Sequence, residues 1–144
     1  MKVLIVVAVT VAVALAQGPP GPPPFLEGAP KATIDEWNAL VQTFGADTES
    51  QINDAVSGFV AKHPEIKAKF EAFKTQVVAD QKAAEAAHKA KVATLSSAAQ
   101  SADSQLSAIA DNDSLTQDQK QQKIISTFQA LPKNVQEELK GATQ

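Results

Sequence analysis

From residue 31 onward, large apolar side chains recur every three or four positions, which is the period of an amphipathic α-helix. The first such stretch contains Ile34, Trp37, Leu40, Val41 and Phe44. Later stretches predict a second helix from residue 47 or 48, a third from Pro64 to about Thr94, and three more that begin after Ser96 or Ser97, at Thr116 and at Pro132. No stretch alternates as a strand would. The pattern predicts an all-α domain of five or six helices over residues 31–144.

Capping residues predict where several helices begin and end. Thr33 with Glu36, and Thr116 with Gln119, have the three-residue spacing of a capping box. Gly45 follows the first apolar stretch and is expected to end that helix in the left-handed conformation.

The third predicted helix is the longest, and residues 79–90 in its middle are almost bare of large apolar side chains. Glu65 with Lys69, and Glu85 with Lys89, are oppositely charged pairs four residues apart, a spacing that supports a helix. Alanine in the third and fourth helices suits close helix packing and equally suits the border of a cavity for a lipid or another small apolar ligand. Both interpretations stay open.

The first sixteen residues have the features of an export signal. Lys2 is positive, residues 3–15 are apolar apart from Thr10, and Ala14 and Ala16 place small side chains where a signal peptidase inspects them. A run of this length spans about 21 Å as a helix, short of the roughly 30 Å hydrocarbon core. The sequence therefore predicts a signal peptide over residues 1–16 and a secreted, extracellular chain without a membrane span.

Residues 17–30 form a segment that holds six of the eight prolines. Because proline fixes φ and lacks an N–H, we expect an extended, polyproline-II-like arm there. Phe25 and Leu26 are an apolar pair on this arm. They either staple the arm onto the helical body or form a docking element, and the staple is the simpler interpretation.

Charge and composition argue against several classes of function. The net charge of −3 lacks the basic excess of a nucleic-acid binder. The absence of cysteine excludes a thiol enzyme, a disulfide scaffold and a cysteine zinc site. Serine nucleophiles need a nearby base, and neither of the two histidines lies near a Gly-x-Ser-x-Gly turn. We therefore expect a protein that is not an enzyme and has no cofactor.

The two histidines have simple structural interpretations. His88 follows Glu85 by three residues, the spacing found in di-iron helical bundles, but those proteins use the motif twice. A single copy favours solvated residues on a polar face. His63 precedes Pro64 and is expected to cap a helix.

Acidic residues cluster in the polar segment between the fourth and fifth helices. Asp111 and Asp113 occupy the first and third positions of an EF-hand-like loop, and Asp118 lies nearby. The pattern fails at three key positions, namely Leu115, Thr116 and Gln122. These aspartates predict at most a weak magnesium or calcium contact, since such residues also cap helices. Asn112 with Ser114 forms the one Asn-x-Ser/Thr sequon, a possible glycan acceptor in a secreted chain.

The proline-rich opening QGPPGPPPFL, the GAP that follows, Trp37 in the first helix and the closing LPKNV together resemble the SXP/RAL family of small secreted roundworm antigens, several of them allergens. The similarity extends over the mature chain. It implies an extracellular helical protein, recognised by host antibodies including IgE, with no established enzymatic activity. Suggested divalent-cation binding in the family bears on Asp111 and Asp113, and no catalytic residues transfer.

Overall fold

A computed structural model describes residues 22–143 of the chain. Within this range the chain forms six α-helices, two short 3₁₀ turns and no strand. The helices are α1 (Lys31–Val41), α2 (Glu49–Lys62), α3 (Pro64–Val92), α4 (Ser97–Ala110), α5 (Gln117–Ala130) and α6 (Lys133–Thr143). The all-α prediction is therefore confirmed. The predicted signal peptide, residues 1–16, and the start of the arm lie outside the described residues.

Local capping explains where α5 begins but not where α1 begins. The Thr116 hydroxyl accepts the Gln119 N–H at 3.3 Å, and the Gln119 side chain accepts the Thr116 N–H at 3.0 Å, as the capping box predicted. At α1 that prediction was wrong. The helix starts at Lys31 after Pro30, which places Thr33 inside its first turn.

The end of α1 also differs from the prediction. Gly45 lies in a 3₁₀ turn, Phe44–Ala46, and Gly28 is the one residue with positive φ in the part of the chain that the structure describes. Phe44 is buried and closes the hydrophobic face of the helix. The connection is therefore set by apolar burial and not by a left-handed glycine.

Packing divides the chain into a unit that ends at Gln81 and a unit that begins at Lys82. The first unit has an aromatic-rich core in which Phe25 meets Trp37 and Phe70 edge to face, with ring centroids 5.0 and 5.2 Å apart. Its buried apolar residues are Phe25, Leu26, Trp37, Phe44, Ile52, Val56, Phe59, Val60, Ile66, Phe70 and Val77. Edge-to-face pairs add to the stabilisation that burial already provides.

The described part of the proline-rich arm folds onto this core. Phe25 and Leu26 are 1% and 0% exposed, so the staple interpretation is confirmed. The expectation of an extended arm is wrong at Pro24–Leu26, where the chain forms a 3₁₀ turn that buries both side chains. After this turn Gly28 adopts a φ of 78°.

The Lys69 ammonium donates to the Glu27 carbonyl oxygen. The predicted pairing of Lys69 with Glu65 is therefore wrong, because Glu65 faces His63 and Thr33 instead.

The second unit has a core of small and branched side chains. Its buried residues are Ala99, Ala102, Val135 and Leu139, and α4 packs against α5 and α6 around them. Ile125 on α5 is 46% exposed, whereas Lys120 on the same helix is buried. The spacing of apolar residues therefore identified this helix but did not show which of its side chains are buried. A single domain over residues 31–144 stays a prediction.

Candidate functional site

The segment between α4 and α5 is an exposed turn held by the backbone and by Asn112. Asp111 ends α4 and its N–H donates to the Ser107 carbonyl at 2.9 Å. The Oδ1 of Asn112 accepts the Ser114 N–H at 3.0 Å, and the Asn112 carbonyl accepts the Leu115 N–H at 3.2 Å. The turn is thus ordered by hydrogen bonds that leave the aspartate carboxylates facing solvent.

The aspartates predicted to contact a cation have separate positions along this turn. Asp111 and Asp113 are exposed within it, and Asp118 is exposed in the first turn of α5. Over residues 22–143 no three or more His, Asp or Glu side chains form a group that could hold a metal ion. The structure therefore does not bring Asp111, Asp113 and Asp118 together as a ligand set. An aspartate in the first turn of a helix is stabilised by the helix dipole, so the position of Asp118 needs no metal ion to explain it.

A lysine from α3, Lys89, interacts electrostatically with the same turn. A hydrogen bond from Lys89 to Glu85, 2.6 Å long, raises the pKa of the Lys89 ammonium, and the negative charges of Glu85 and Asp111 raise it further. The predicted pairing of Glu85 with Lys89 is confirmed. The positive charge of Lys89 therefore lies near enough to Asp111 for the two charges to interact.

A more closely connected polar cluster lies in the first unit around His63, the residue that ends α2. Its Nε2 lies 3.0 Å from Glu36 Oε2, and its Nδ1 lies 3.2 Å from Glu65 Oε1 and 3.4 Å from the Thr33 hydroxyl. The imidazole packs against the ring of Phe59 with centroids 4.7 Å apart and is 17% exposed. His63 therefore links α1, α2 and α3 as well as capping a helix.

The hydrogen bonds around His63 allow two arrangements. A carboxylate only accepts, so Nε2 donates to Glu36. In the neutral imidazole Nδ1 accepts from the Thr33 hydroxyl, whereas in the imidazolium Nδ1 donates to Glu65 and Thr33 donates to Glu65 as well, at 3.3 Å. Rotation of the Thr33 hydroxyl therefore moves its hydrogen bond from Glu65 to Nδ1 when Nδ1 carries no proton, and the hydrogen bond from Nε2 to Glu36 is present in both arrangements.

The carboxyl group of Glu65 has a lowered pKa in this cluster. The largest cause is a hydrogen bond from its own backbone amide at the start of α3, and hydrogen bonds with His63 and Thr33 lower the pKa further, while desolvation opposes them. An amide at a helix N-terminus stabilises a carboxylate there. Glu65 is therefore an ionised acceptor for the His63 cluster.

The arrangement around His63 joins helices and does not present a nucleophile. Thr33 is 4% exposed, so its hydroxyl is closed to a substrate, and both ring nitrogens of His63 face groups of the protein. A hydrolytic site needs a hydroxyl that reaches its substrate and a base free to take its proton. The geometry accounts for the cluster as a structural link.

The second histidine also has a partner that its local sequence did not predict. His88 Nε2 lies 2.8 Å from Asp103 Oδ1 on α4, and the two side chains are 35% and 19% exposed. The expectation that His88 would be a solvated residue is therefore wrong. The contact depends on how α3 and α4 meet within the second unit, which spacing along one helix does not show.

One small cleft lies beside the arm in the first unit. It has a volume of about 190 Å³ and is lined by the residues around Gly28 together with Glu65, Ile66 and Lys69. Pockets for small organic ligands commonly measure about 300–1,000 Å³ and are largely apolar. The small volume is unlike that of a lipid site.

Comparison with known proteins identifies the family of this chain, which the geometry of these clusters does not show. The family described as "SXP/RAL-2 family protein Ani s 5-like, metal-binding domain" matches residues 1–140. The chain belongs to the SXP/RAL-2 family. It is 39% identical to the SXP/RAL-2 family protein Ani s 5 of Anisakis simplex, over 96% of this chain and 93% of that protein. It is 37% identical to the OV-17 antigen of Onchocerca volvulus, over 83% of this chain and 74% of that antigen. No solved structure matches.

The resemblance noted in the sequence is thus confirmed. Among residues 22–143, none of the helices combines the length and the apolar character that a membrane span requires.

Proposed function

We propose that this SXP/RAL-2 protein is a secreted, non-enzymatic antigen and allergen that host antibodies, including IgE, recognise. The observation that carries the proposal is the 37% identity to a nematode protein named as an antigen, over most of both chains. Conformational epitopes require an exposed folded surface, and α3, α4 and α5 supply an exposed helical one.

Three features of the chain support an extracellular protein that is not an enzyme. The first sixteen residues have the composition of a signal peptide, and the chain contains no thiol that an oxidising compartment would alter. The most connected titratable cluster, around His63, encloses its hydroxyl and engages both ring nitrogens.

Antibody binding tests the proposal directly. Residues 17–144, folded and purified, are expected to bind IgG and IgE from hosts infected with nematodes, and not antibodies from uninfected hosts. Competition with the soluble folded chain should remove the signal, whereas a urea-unfolded sample should compete less well. Equal binding by both sets of sera would contradict the antigen proposal. Export is tested by expression of the full chain in insect cells, where the protein in the medium should begin at Gln17.

A weak divalent-cation contact is a second candidate, because the matching family is described as a metal-binding domain. The exposed carboxylates of Asp111, Asp113 and Asp118 are the proposed contacts. They do not form one ligand set, but hard cations prefer oxygen ligands and retain much of their water, so a hydrated ion contacts such carboxylates separately. Titration of labelled protein with magnesium or calcium should shift the amide resonances of residues 111–118. Asp111→Asn combined with Asp113→Asn and Asp118→Asn should abolish these shifts, and Asp54→Asn, an exposed aspartate on α2, should leave them unchanged.

Carriage of a lipid or other small apolar ligand is the alternative that the alanine-rich helices left open. Ala99 and Ala102 are 0% and 2% exposed and pack within the second core, which supports close packing. Titration with a fluorescent fatty acid separates the two possibilities. Saturable binding that natural lipids displace would favour a lipid carrier over an antigen that binds no apolar ligand.

A further inference from the structure

The sequon Asn112-Asp113-Ser114 lies at a place in the fold from which a substituent extends into solvent. All three residues are exposed in the turn between α4 and α5. Neither Asp113 nor Leu115, the residues on either side of Ser114, is a proline. A sequon accepts a glycan in a secreted protein when the acceptor can remain at the surface after folding.

The other asparagines of the chain do not share these properties. They are Asn38 in α1, Asn53 in α2 and Asn134 in α6, each within a helix and each without Ser or Thr two residues later. Asn112 therefore differs from them in both sequence and position. One of these residues, Asn134, provides a matched control because it is also exposed.

The hydrogen bonds of Asn112 leave the reacting atom available. Its Oδ1 accepts the Ser114 N–H at 3.0 Å, while its backbone N–H donates to the Ile109 carbonyl at 3.2 Å and its carbonyl accepts from Leu115. None of these bonds uses the amide Nδ2. A substituent on Nδ2 keeps the carbonyl oxygen as an acceptor, so the turn is compatible with a modified side chain.

We propose that Asn112 carries an N-linked glycan, an inference that rests on the proposed secretion of the chain. Nδ2 of Asn112 displaces a polyprenyl pyrophosphate from C1 of the first sugar of a lipid-linked oligosaccharide. The N–C1 bond forms, the bond from C1 to the phosphate oxygen breaks, the pyrophosphate leaves with the electron pair, and the amide nitrogen loses one proton. The lipid-linked oligosaccharide is the co-reactant, and it belongs to the secretory pathway.

A glycan at this position also limits what else the turn can bind. Asp111 and Asp113 flank Asn112 directly, so a sugar chain on Nδ2 occupies the space that a hydrated cation and its water ligands would need. The glycosylated chain should therefore respond less to magnesium or calcium than the same chain without sugar.

Expression of the full chain in insect cells, followed by treatment of the exported protein with peptide N-glycosidase, tests the proposal. The enzyme should lower the mass of the wild-type protein and convert Asn112 to aspartate, which carries heavy oxygen when the reaction is run in heavy-oxygen water. Asn112→Gln and Ser114→Ala should each abolish the sugar. Ser114→Thr and Asn134→Gln should keep it.

A second form, in which an established leader replaces residues 1–16, separates this proposal from the one on which it rests. If both forms reach the medium and neither carries sugar at Asn112, the glycan proposal is overturned and secretion stands. If only the form with the replaced leader is exported, and it is glycosylated, the secretion proposal fails and the acceptor site is supported. Sugar that persists in Asn112→Gln would also overturn the assignment.

Discussion

The imidazole of His63 lies 3.0 Å from a carboxylate oxygen of Glu36, a residue 27 positions earlier on α1. The contact joins the end of α2 to the exposed face of the first helix. The other oxygen of this carboxyl group, Oε1, lies 3.7 Å from the Lys62 ammonium, so Glu36 interacts with two side chains at the end of α2. This relationship fixes the neighbouring helices by polar contacts at the edge of an aromatic core.

We expect His63 and Glu36 to stabilise the first unit cooperatively. Glu36 is 45% exposed, so solvent screens the pair and the coupling should be modest, about 0.5–1 kcal/mol. A double-mutant cycle with His63→Gln and Glu36→Gln, followed by urea unfolding and the fluorescence of Trp37, measures it. Additive effects of the two substitutions would show that the contact contributes nothing to stability.

The lowered pKa of Glu65 predicts how acid affects the fold. Because the folded pKa lies below the ordinary value of 4.5, Glu65 contributes stability that is present above that value and is lost as the pH falls through the folded pKa. Between about pH 5 and about pH 3, wild-type protein should therefore lose more of its melting temperature than Glu65→Gln. Circular dichroism melting checks this, with Glu71→Gln, an exposed glutamate of the same helix, as the control. Parallel decreases in Glu65→Gln and wild type would contradict the prediction.

Phe25 should contribute strongly to stability although it belongs to the proline-rich arm. It is 1% exposed and its ring contacts Trp37, Phe70 and Phe73. Phe25→Ala removes a large buried side chain and leaves a cavity, so the expected loss is about 3–5 kcal/mol. Trp37 is the single tryptophan, and its fluorescence during urea unfolding reports on this core.

Ile125→Ala is the control for Phe25→Ala, because Ile125 is 46% exposed in the second unit. Its effect on the Trp37 transition should be within about 0.5 kcal/mol. An equally small effect of Phe25→Ala would show that the arm does not stabilise the core in solution.

The start of α4 should depend on a glutamate from α6. Glu138 accepts the Ser96 N–H at 2.9 Å and the Ser96 hydroxyl at 3.0 Å, while the same hydroxyl oxygen accepts the Ala99 N–H. Glu138→Ala removes both contacts and should cost about 1–2 kcal/mol, in the range measured for helix caps. Thermal unfolding followed by circular dichroism measures the loss. Glu137→Ala, at the exposed neighbouring position, should change stability little, and an equal effect of the two variants would refute the role of Glu138.

Local interactions account for the features that were predicted correctly. The recurrence of apolar side chains located the helices, and Thr116 with Gln119 marked the start of α5, because a capping box involves residues only three positions apart. The buried apolar pair Phe25 and Leu26 was also recognisable, since two large apolar side chains on a polar arm favour burial.

The wrong predictions share a different origin. Thr33 and Glu36 have capping-box spacing, yet in the structure both side chains contact His63 at the end of α2. His88 follows Glu85 at a spacing that suggested a solvated polar face, yet its side chain contacts Asp103 of α4. In each case the partner is distant along the chain, and local spacing contains no information on which helix faces meet.

The amino-acid sequence by itself determined the helical class, the absence of thiol chemistry, the family and the sequon at Asn112, because composition, periodicity and short motifs are properties of neighbouring residues. Only the tertiary structure decided that His63 joins three helices, that His88 pairs with Asp103 and that Glu138 caps α4. These contacts connect residues far apart along the chain. Their formation follows from the way the apolar faces pack, which brings polar groups at the edges of those faces within hydrogen-bond distance.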